Sequence, residues 1–209
     1  MLFLTVPIAA FAYLIGSFPS GYIAGKINGM DVREHGSGNI GATNVLRVLG
    51  RPWGYTVFFL DAFKGFVAVR LALALVARNP AAAGYSEFFA ILAAAMCIVG
   101  HSFPHWLAFK GGKGVATSVG SILGIMPIAA ITIFLVWVAV FLITRYVSLA
   151  SIIAALTLPF AVAILVHLKM TQGVVLFYFS AAMTALVVWR HRSNISRLLK
   201  GTEQRFARK

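Results

Sequence analysis

The chain has 209 residues, of which 60% are hydrophobic and 11% are charged. Because an ordinary soluble domain is about 45–50% apolar and about 25% charged, this composition excludes a soluble globule. The 18 Lys and Arg residues outnumber the 5 Asp and Glu residues, which gives a net charge of +13. Such an excess is typical of binding to nucleic acid, anionic lipid or phosphorylated ligands, or of membrane topology, and the positions of the charges decide among these.

Long apolar stretches follow one another along the chain, separated by short polar connections. A helix needs about 20 apolar residues to cross a bilayer core about 30 Å thick, and most of the stretches approach that length. Their apolarity is uninterrupted and lacks the alternation of a β-barrel. We therefore predict an all-α integral membrane protein, a single domain over residues 1–209, with helices at roughly 2–25, 53–77, 86–103, 114–126, 128–144, 147–166 and 172–189.

The fourth and fifth spans are open to a second interpretation. Residues 114–144 are too few for two full spans, so one helix kinked at Pro127 is the alternative. Sixteen basic residues lie outside the second span, and seven spans with the N-terminus outside place 14 of them on the cytoplasmic side. Six spans split the same residues into 7 inside and 9 outside. Since cytoplasmic loops collect Lys and Arg, we predict seven spans, a cytoplasmic C-terminus and a short fourth helix.

Three polar segments fall on the predicted cytoplasmic side, at residues 26–51, 101–113 and 190–209. The first contains SGNIGATNVLR, residues 37–47, in which glycines and small polar side chains lead into a short helical piece ending at Arg47. Amide groups at a helix start and an arginine can surround a phosphate or carboxylate. A flexible glycine turn with an interfacial arginine is the alternative, because glycine turns are common in loops.

The second polar segment contains GHSFPHWLAFKGGKGVATS, residues 100–118. Three glycines surround Lys113 just before a predicted helix, an arrangement that suits a phosphate but is not a Walker A loop, because Gly114 stands where that loop requires Ser or Thr. A glycine hinge with snorkelling lysines is the alternative. His101 and His105 have the spacing of helical metal ligands, but Pro104 between them predicts a helix break, so we favour an orienting or proton-handling role for His101.

Two further features carry charge or polarity into predicted helices. Asp61 and Lys64 are three residues apart in the second span, so they share a face, and an intramembrane pair indicates either a functional site or a structural ion pair. The tail, residues 190–209, has the pattern of a helix lying in the membrane interface, or of a topology anchor that binds anionic lipid. The segment GSFPSGY, residues 16–22, predicts small-residue packing and a proline bend in the first span.

The combination of two glycine loops with cations, a basic tail and a buried ion pair predicts a reactant with phosphate head groups and a fatty tail. The basic residues are divided among short loops that leave no room for a nucleic-acid-binding module, so we predict no nucleic-acid partner. A transporter or flippase of phosphorylated lipids would have a similar basic cavity and is the rival interpretation.

Three blocks of the sequence resemble a known family, the bacterial acyl-phosphate:glycerol-3-phosphate acyltransferases, or PlsY family. They are SGNIGATNVLR at 37–47, GHSFPHWLAFKGGKGVAT at 100–117 and HRSNISRLLKGTE at 191–203, and DAFKG at 61–65 and RYVSLAS at 145–151 are similar as well. The resemblance implies an enzyme that transfers an acyl chain from acyl phosphate to the 1-hydroxyl of sn-glycerol 3-phosphate. The products would be lysophosphatidic acid and inorganic phosphate, the first acylation step of bacterial phospholipid synthesis, with no acyl-CoA or acyl carrier protein as direct donor.

The resemblance also implies roles for individual residues. It makes the loop around Lys113 the element that binds glycerol phosphate, and implicates Ser37, Arg47, Asn194 and Glu203 in activity. The candidate catalytic residues are Ser37, Arg47, His101, Lys113, Asn194 and Glu203. The candidate substrate-binding residues are Gly38, Asn39, Thr43, Asp61, Lys64, Lys110, Gly111, Gly112, Gly114, Ser148, Ser151 and His191. We expect no metal, no cofactor and a monomer in the bacterial cytoplasmic membrane, with its active site facing the cytoplasm.

We expect direct transfer without an acyl-enzyme, because an acyl phosphate already carries a good leaving group and Ser37 has no evident Ser-His-Asp partnership in the sequence. Two dianionic head groups must be neutralised before the hydroxyl can approach the acyl carbonyl, and Arg47, Lys113 and loop amides can do this. The proton acceptor is a bound phosphate, His101 or His191, and the sequence leaves the choice open.

Overall fold

The structure, a computed structural model, describes residues 2–171 and 173–206. Within these ranges the regular structure is entirely helical, as predicted. The ten α-helices there are α1 (Leu2–Ser17), α2 (Ser20–Ile27), α3 (Ala42–Leu49), α4 (Arg51–Ala77), α5 (Ser86–Ser102), α6 (Val115–Ile125), α7 (Pro127–Thr144), α8 (Val147–His167), α9 (Val174–Arg190) and α10 (Arg192–Leu199). Short 3₁₀ turns lie at Val32–Glu34, Pro80–Tyr85 and His105–Leu107.

Each of the seven predicted segments is helical over most of its described residues, and residue 172, where the last one was predicted to begin, lies outside them. The first segment is divided at Phe18 and Pro19 into α1 and α2, which confirms the predicted bend. By length and composition, four helical segments can cross a membrane, and a fifth is added if α9 and α10, bent by 59°, are taken together. The helix α4 is 27 residues long but carries four charged side chains. The predicted count of seven spans therefore stays a prediction.

The boundary between α6 and α7 decides between the two interpretations of residues 114–144. The first helix ends at Ile125, Met126 has a non-helical backbone (φ −136°, ψ 79°), and the next helix begins at Pro127. Two helices are present rather than one continuous kinked helix. The predicted short helix is α6, whose 11 residues give a length of about 16 Å, roughly half the thickness of a bilayer core.

The chain forms two compact units, Met1–Ile125 and Met126–Lys209. In the first unit α4 is central and packs against α1, α3, α5 and α6, and α1 also packs along α5. In the second unit α8 is central and packs against α7, α9 and α10.

Small residues bring the helices of the first unit into backbone contact. A Cβ added at Gly120 of α6 would overlap the backbone carbonyl of Ala62 in α4, and one added at Gly65 of α4 would overlap the carbonyl of Thr117 in α6. A Cβ at Gly16 of α1 would in the same way meet the backbone of Cys97 in α5. This close approach is the mode of packing that apolar membrane helices use, because lipid gives them no hydrophobic drive to associate.

We therefore expect Gly120→Ala to force α4 and α6 apart. The added methyl group meets backbone, which cannot rotate away, so the free energy of unfolding should fall by about 1–3 kcal/mol. Unfolding in detergent micelles measures the loss. Gly84→Ala is the matched control, because a Cβ there meets nothing within 4 Å. Equal stability of the two variants would contradict the proposed contact.

Candidate active site

A cluster of buried polar side chains lies in the first unit, where α2, α4 and α5 meet. Asp61 and Lys64 on α4 are 2% and 7% exposed, and the Nζ of Lys64 lies 2.8 Å from the Oδ1 of Asp61. The hydroxyl of Ser20, at the start of α2, donates a hydrogen bond of 2.6 Å to the same carboxylate oxygen. The prediction that Asp61 and Lys64 share one face is confirmed.

The ammonium group of Lys64 has two further acceptors. It donates to the backbone carbonyl of Phe18 at 2.9 Å, and it lies 2.9 Å from the Nδ1 of His101. An ammonium group has three N–H donors, so the three acceptors can use all of them. The buried cation thus has the complete set of partners that a charge needs in an apolar environment.

The glycine loop between Pro104 and α6 folds back onto the end of α5. The N–H groups of Gly111 and Gly112 donate to the carbonyls of Ser102 and His101, each at 3.1 Å. A Cβ added at Gly112 would overlap the Nε2 atom of His101, so only glycine fits there. His101 therefore contacts the buried ion pair with one ring nitrogen and the glycine loop with the other.

The remaining predicted residues of this segment differ in burial and backbone conformation. Lys113 follows Gly112 and is half-buried, whereas Lys110 is exposed. Gly114 has a left-handed backbone (φ +78°), and its carbonyl accepts the N–H of Ser118 at 2.7 Å, which starts α6. The structure thus brings Asp61, Lys64 and His101 together with the loop.

The SGN loop, residues 35–41, is organised by Asn44, a buried residue on α3. Its Oδ1 accepts the N–H of Ser37 at 2.7 Å, and its Nδ2 donates to the carbonyls of Val32 and His35 at 2.9 and 3.1 Å. A Cβ at Gly36 would overlap the same Oδ1 atom. One amide side chain therefore fixes the backbone of the loop that presents Ser37.

The predicted residues of this loop lie at or near the surface. Ser37 and Gly38 are exposed, and the Oδ1 of Asn39 accepts the N–H of Gly41 at 2.8 Å, just before α3. Thr43 lies in the first turn of α3 and Arg47 in the last turn, both half-buried. The helical piece predicted to end at Arg47 continues to Leu49, because no breaking residue occurs before Gly50.

Asn44→Ala should release the SGN loop. Three hydrogen bonds are lost and their backbone partners are left unpaired, so we expect the free energy of unfolding to fall by about 2 kcal/mol and trypsin to cleave faster after the exposed Arg33. Thermal unfolding and mass spectrometry of the digest measure the two effects. Asn79→Ala is the control, since the side chain of Asn79 makes no capping hydrogen bond. Unchanged cleavage in Asn44→Ala would contradict this role.

A second polar cluster, in the second unit, surrounds Glu203. Its Oε1 accepts hydrogen bonds from the hydroxyl of Ser148 and the Nδ2 of Asn194, both at 2.7 Å. Its Oε2 accepts from the Nε of Arg197, also at 2.7 Å. The carboxylate thereby joins the start of α8 to α10, and it brings together three of the predicted residues.

The other predicted residues of this unit have contacts of their own. The hydroxyl of Ser151 donates to the carbonyl of Val147 at 2.8 Å and accepts from the Nε1 of Trp137 at 3.1 Å. His191 lies between α9 and α10, is buried, and has its Nδ1 2.8 Å from the carbonyl of Val187. These contacts fix both side chains on their own helices.

Glu203→Gln keeps the shape of the side chain but removes its charge. We expect the free energy of unfolding to fall by about 1–2 kcal/mol, because Arg197 loses a charge-assisted bond that its partial exposure already weakens through screening. Glu34→Gln, on an exposed 3₁₀ turn, is the control. Unfolding in detergent at neutral pH measures both variants, and equal stability would show that the carboxylate is not the link.

Glu203 also makes the stability of the protein depend on pH. Burial alone would raise the pKa of Glu203, but hydrogen bonds from Ser148, Asn194 and Arg197, with the charge of Arg197, lower it below its ordinary value of 4.5. A carboxyl whose pKa is lower in the folded state stabilises that state above the unfolded-state pKa and loses this contribution as pH falls through the folded-state pKa. The difference between wild type and Glu203→Gln should therefore shrink below about pH 4.5.

The two histidines considered as metal ligands are separated by the end of α5. His101 lies in the last turn of that helix, whereas His105 begins the next 3₁₀ turn after Pro104 and stacks on Tyr13 with ring centres 6.0 Å apart. This confirms the predicted helix break. Among residues 2–171 and 173–206, no group of three or more His, Cys, Asp or Glu side chains is placed to hold a metal ion.

Three residues with central positions were missed by the sequence analysis as site residues. Ser20 completes the Asp61 cluster, Asn44 organises the SGN loop, and Arg197 pairs with Glu203. Asn44 lies inside the block at 37–47, and Arg197 stands six residues before a tail carboxylate, so both carried a local signal. Ser20 carried none, because its partner is 41 residues away.

The comparisons with known proteins all indicate the same family. The family model described as "Glycerol-3-phosphate acyltransferase" matches residues 6–201. A glycerol-3-phosphate acyltransferase of Desulforamulus reducens is 44% identical over 207 residues, covering 98% of this chain and 96% of the relative. One from Aquifex aeolicus is 41% identical over 196 residues, covering 94% and 96%.

Two solved structures are similar throughout. The crystal structure of PlsY (YgiH), an integral membrane glycerol 3-phosphate acyltransferase, in its glycerol 3-phosphate form matches with a TM-score of 0.85 and 39% identity, covering 97% of this chain and 96% of that one. Its lysophosphatidic acid form matches with a TM-score of 0.83 and 38% identity, covering 97% and 95%. With the apolar helices, these matches confirm the predicted resemblance and the all-α, multi-pass integral membrane protein.

Proposed function

Because the chain belongs to the glycerol-3-phosphate acyltransferase family and is an acyltransferase, we propose that it transfers an acyl group from acyl phosphate to the 1-hydroxyl of sn-glycerol 3-phosphate. The hydroxyl oxygen forms a bond to the acyl carbonyl carbon, and the bond from that carbon to the phosphate oxygen breaks. The products are 1-acyl-sn-glycerol 3-phosphate and inorganic phosphate, so this is the first acylation step of phospholipid synthesis.

One structural observation supports the proposed position of the glycerol 3-phosphate. The glycine loop that contains Lys113 is held against the end of α5 by the bonds of Gly111 and Gly112, which leaves a defined backbone beside a cation. A lysine held in such a fixed loop can pair with a phosphate group, and the similar structure of PlsY is described in a glycerol 3-phosphate form. We assign the glycerol phosphate to this loop, with Lys110, Gly111, Gly112, Lys113 and Gly114 as its binding residues.

The other predicted residues receive roles on the same basis. Ser37, Gly38, Asn39, Thr43 and Arg47 contact the phosphate of the acyl donor, since their loop is fixed by Asn44 and ends on a helix that carries an arginine. Asn194 and Glu203 act in catalysis, and Ser148, Ser151 and His191 contribute to substrate binding. The hydrogen bond between Ser148 and Glu203 supports grouping the residues of the second unit.

An assay of the purified protein in detergent tests the reaction. Given acyl phosphate and glycerol 3-phosphate, the protein should release inorganic phosphate and form lysophosphatidic acid, and acyl-CoA should not replace acyl phosphate. A transporter or flippase, the rival interpretation, would release no phosphate in a single compartment. Absence of turnover in folded protein would overturn the proposed function.

We further propose direct transfer without an acyl-enzyme. The acyl phosphate is a mixed anhydride, so its phosphate leaves readily and no serine nucleophile is needed. After incubation with radiolabelled acyl phosphate alone and an acid quench, the protein should carry no acyl ester. An ester on Ser37 would contradict direct transfer.

Lys113→Ala should weaken the use of glycerol 3-phosphate. The lost cation contributes about 1.5–3 kcal/mol to a charge-assisted bond, so kcat/KM for this substrate should fall by about 10- to 100-fold. Initial rates at varied glycerol 3-phosphate and saturating acyl phosphate measure the change. Lys26→Ala is the control, because Lys26 is exposed and its contacts, a 3.8 Å ion pair with Asp31 and a position 5.3 Å from the centre of the Tyr22 ring, do not involve the glycine loop. An unchanged kcat/KM in Lys113→Ala would remove the assigned role.

We propose that the protein lies in the cytoplasmic membrane of a bacterium. It crosses this membrane seven times, with the N-terminus outside and the C-terminus in the cytoplasm. The distribution of basic residues supports it. Cysteines introduced as His35→Cys and Lys200→Cys should react with a membrane-impermeant label from the same side. The native Cys97 is buried, so we expect it not to react. Labelling from opposite sides would contradict this topology.

We also propose a single acyltransferase domain over residues 1–209, in keeping with the family match at 6–201, and a monomer.

A further inference from the structure

The contacts of Lys64 determine where the ring proton of His101 lies. The Nδ1 of His101 is 2.9 Å from the Nζ of Lys64, and an ammonium group can only donate a hydrogen bond. The Nδ1 atom must therefore accept, which leaves the ring proton on Nε2 and the imidazole neutral. This tautomer is assigned from the hydrogen-bond geometry, because hydrogen positions follow from the network.

The two charges of the cluster act on His101 in opposite directions, and the cation is the nearer of the two. The carboxylate of Asp61 lies 2.8 Å from the Nζ of Lys64, so the pair has no net charge, whereas the same carboxylate is 3.5 Å from the Nδ1 of His101. A protonated His101 would place its Nδ1–H against the donors of Lys64. The hydrogen bond from Ser20 and the carbonyl of Phe18 hold the pair in this position.

The other side of the ring faces the glycine loop. A Cβ added at Gly112 would overlap the Nε2 of His101, and the N–H of Gly112 donates to the carbonyl of the same histidine. The Nε2–H group is therefore held at the loop in which Lys113 lies.

We propose that Asp61 and Lys64 are positioning residues that hold His101 as a neutral Nε2–H donor beside the Gly111–Gly114 loop. His101 then donates a hydrogen bond to a phosphate oxygen bound there, and it does not take the proton of the attacking hydroxyl. This inference rests on the proposed function, which puts a phosphate monoester at the loop. It removes His101 from the three candidate proton acceptors and leaves a bound phosphate or His191.

The tautomer is tested on the wild-type protein. The full chain, labelled with ¹⁵N-histidine, is measured in detergent micelles at neutral pH, and the His101 signals are assigned by their loss in His101→Gln. We expect a neutral ring with a protonated Nε2 and an unprotonated Nδ1, and a change in the Nε2–H signal on addition of inorganic phosphate. A protonated Nδ1, or no response to phosphate, would overturn the proposal.

Two substitutions of His101 separate donation from proton acceptance. In His101→Gln the terminal amide can place an N–H near the position of Nε2 but cannot accept a proton at neutral pH, whereas His101→Leu removes both functions. We expect His101→Leu to lower kcat/KM for glycerol 3-phosphate by about 10- to 100-fold and His101→Gln to recover most of that loss. Equal impairment of the two variants, with both folded by thermal unfolding, would overturn the donor role.

The positioning role is tested through Lys64→Met, which keeps the length of the side chain and removes its donors. The His101 signals should lose the single tautomer seen in wild type, and an unchanged tautomer would overturn the role of Lys64. Since an unpaired Asp61 can prevent folding, Asp61→Asn combined with Lys64→Met gives the same measurement without a buried charge. If wild type shows the expected tautomer and phosphate response but no turnover, the acyl transfer fails while the donor assignment stands.

Discussion

A charge pair inside an apolar helix is the constraint on which the first unit depends. Burying a carboxylate or an ammonium group costs several kcal/mol per ion unless its hydrogen-bond partners are complete. Lys64 has three acceptors and Asp61 accepts from both Lys64 and Ser20. Because Ser20 lies on α2 and His101 on α5, the hydrogen bonds of the buried pair link α4 to both helices.

The break between α1 and α2 acquires a physical purpose from this pair. Pro19 has no N–H and cannot continue the ladder of α1, which leaves carbonyls at the end of that helix without their usual helical partners. The carbonyl of Phe18, between α1 and Pro19, lies outside the ladder; it accepts the N–H of Ser20 at 3.1 Å and a second hydrogen bond from Lys64 at 2.9 Å. The proline bend therefore supplies an acceptor for a buried cation, in addition to any effect on the path of the chain.

The glycine loop shows how far sequence reasoning reaches. Three glycines around Lys113 were open to interpretation as a hinge or as a phosphate site, and both interpretations treat glycine as a source of flexibility or of backbone amides. In the structure the N–H groups of Gly111 and Gly112 also satisfy the last carbonyls of α5, and Gly112 is required because the ring of His101 occupies the space of a side chain. Contacts between segments of this kind leave no periodic signal in the chain.

Features that depend on consecutive residues, in contrast, were predictable from the sequence. Apolar runs defined the helices to within a few residues, as for the span predicted at 147–166 and found at Val147–His167, because length and apolarity act over consecutive residues. The spacing of Asp61 and Lys64 placed them on one face. The partners Ser20, Asn44 and Arg197 depend on which segments meet, and a single sequence contains that information only through the whole fold.

The two buried carboxylates use the same chemistry with different consequences. Asp61 and Glu203 each accept from a serine hydroxyl and from a cationic side chain, and Asn194 adds an amide donor to Glu203. The cation beside Asp61 is 7% exposed, whereas Arg197 beside Glu203 is 39% exposed, so water and salt screen only the second pair strongly. Salt can therefore weaken the link between α8 and α10, while the cluster that holds His101 against the glycine loop is shielded from it.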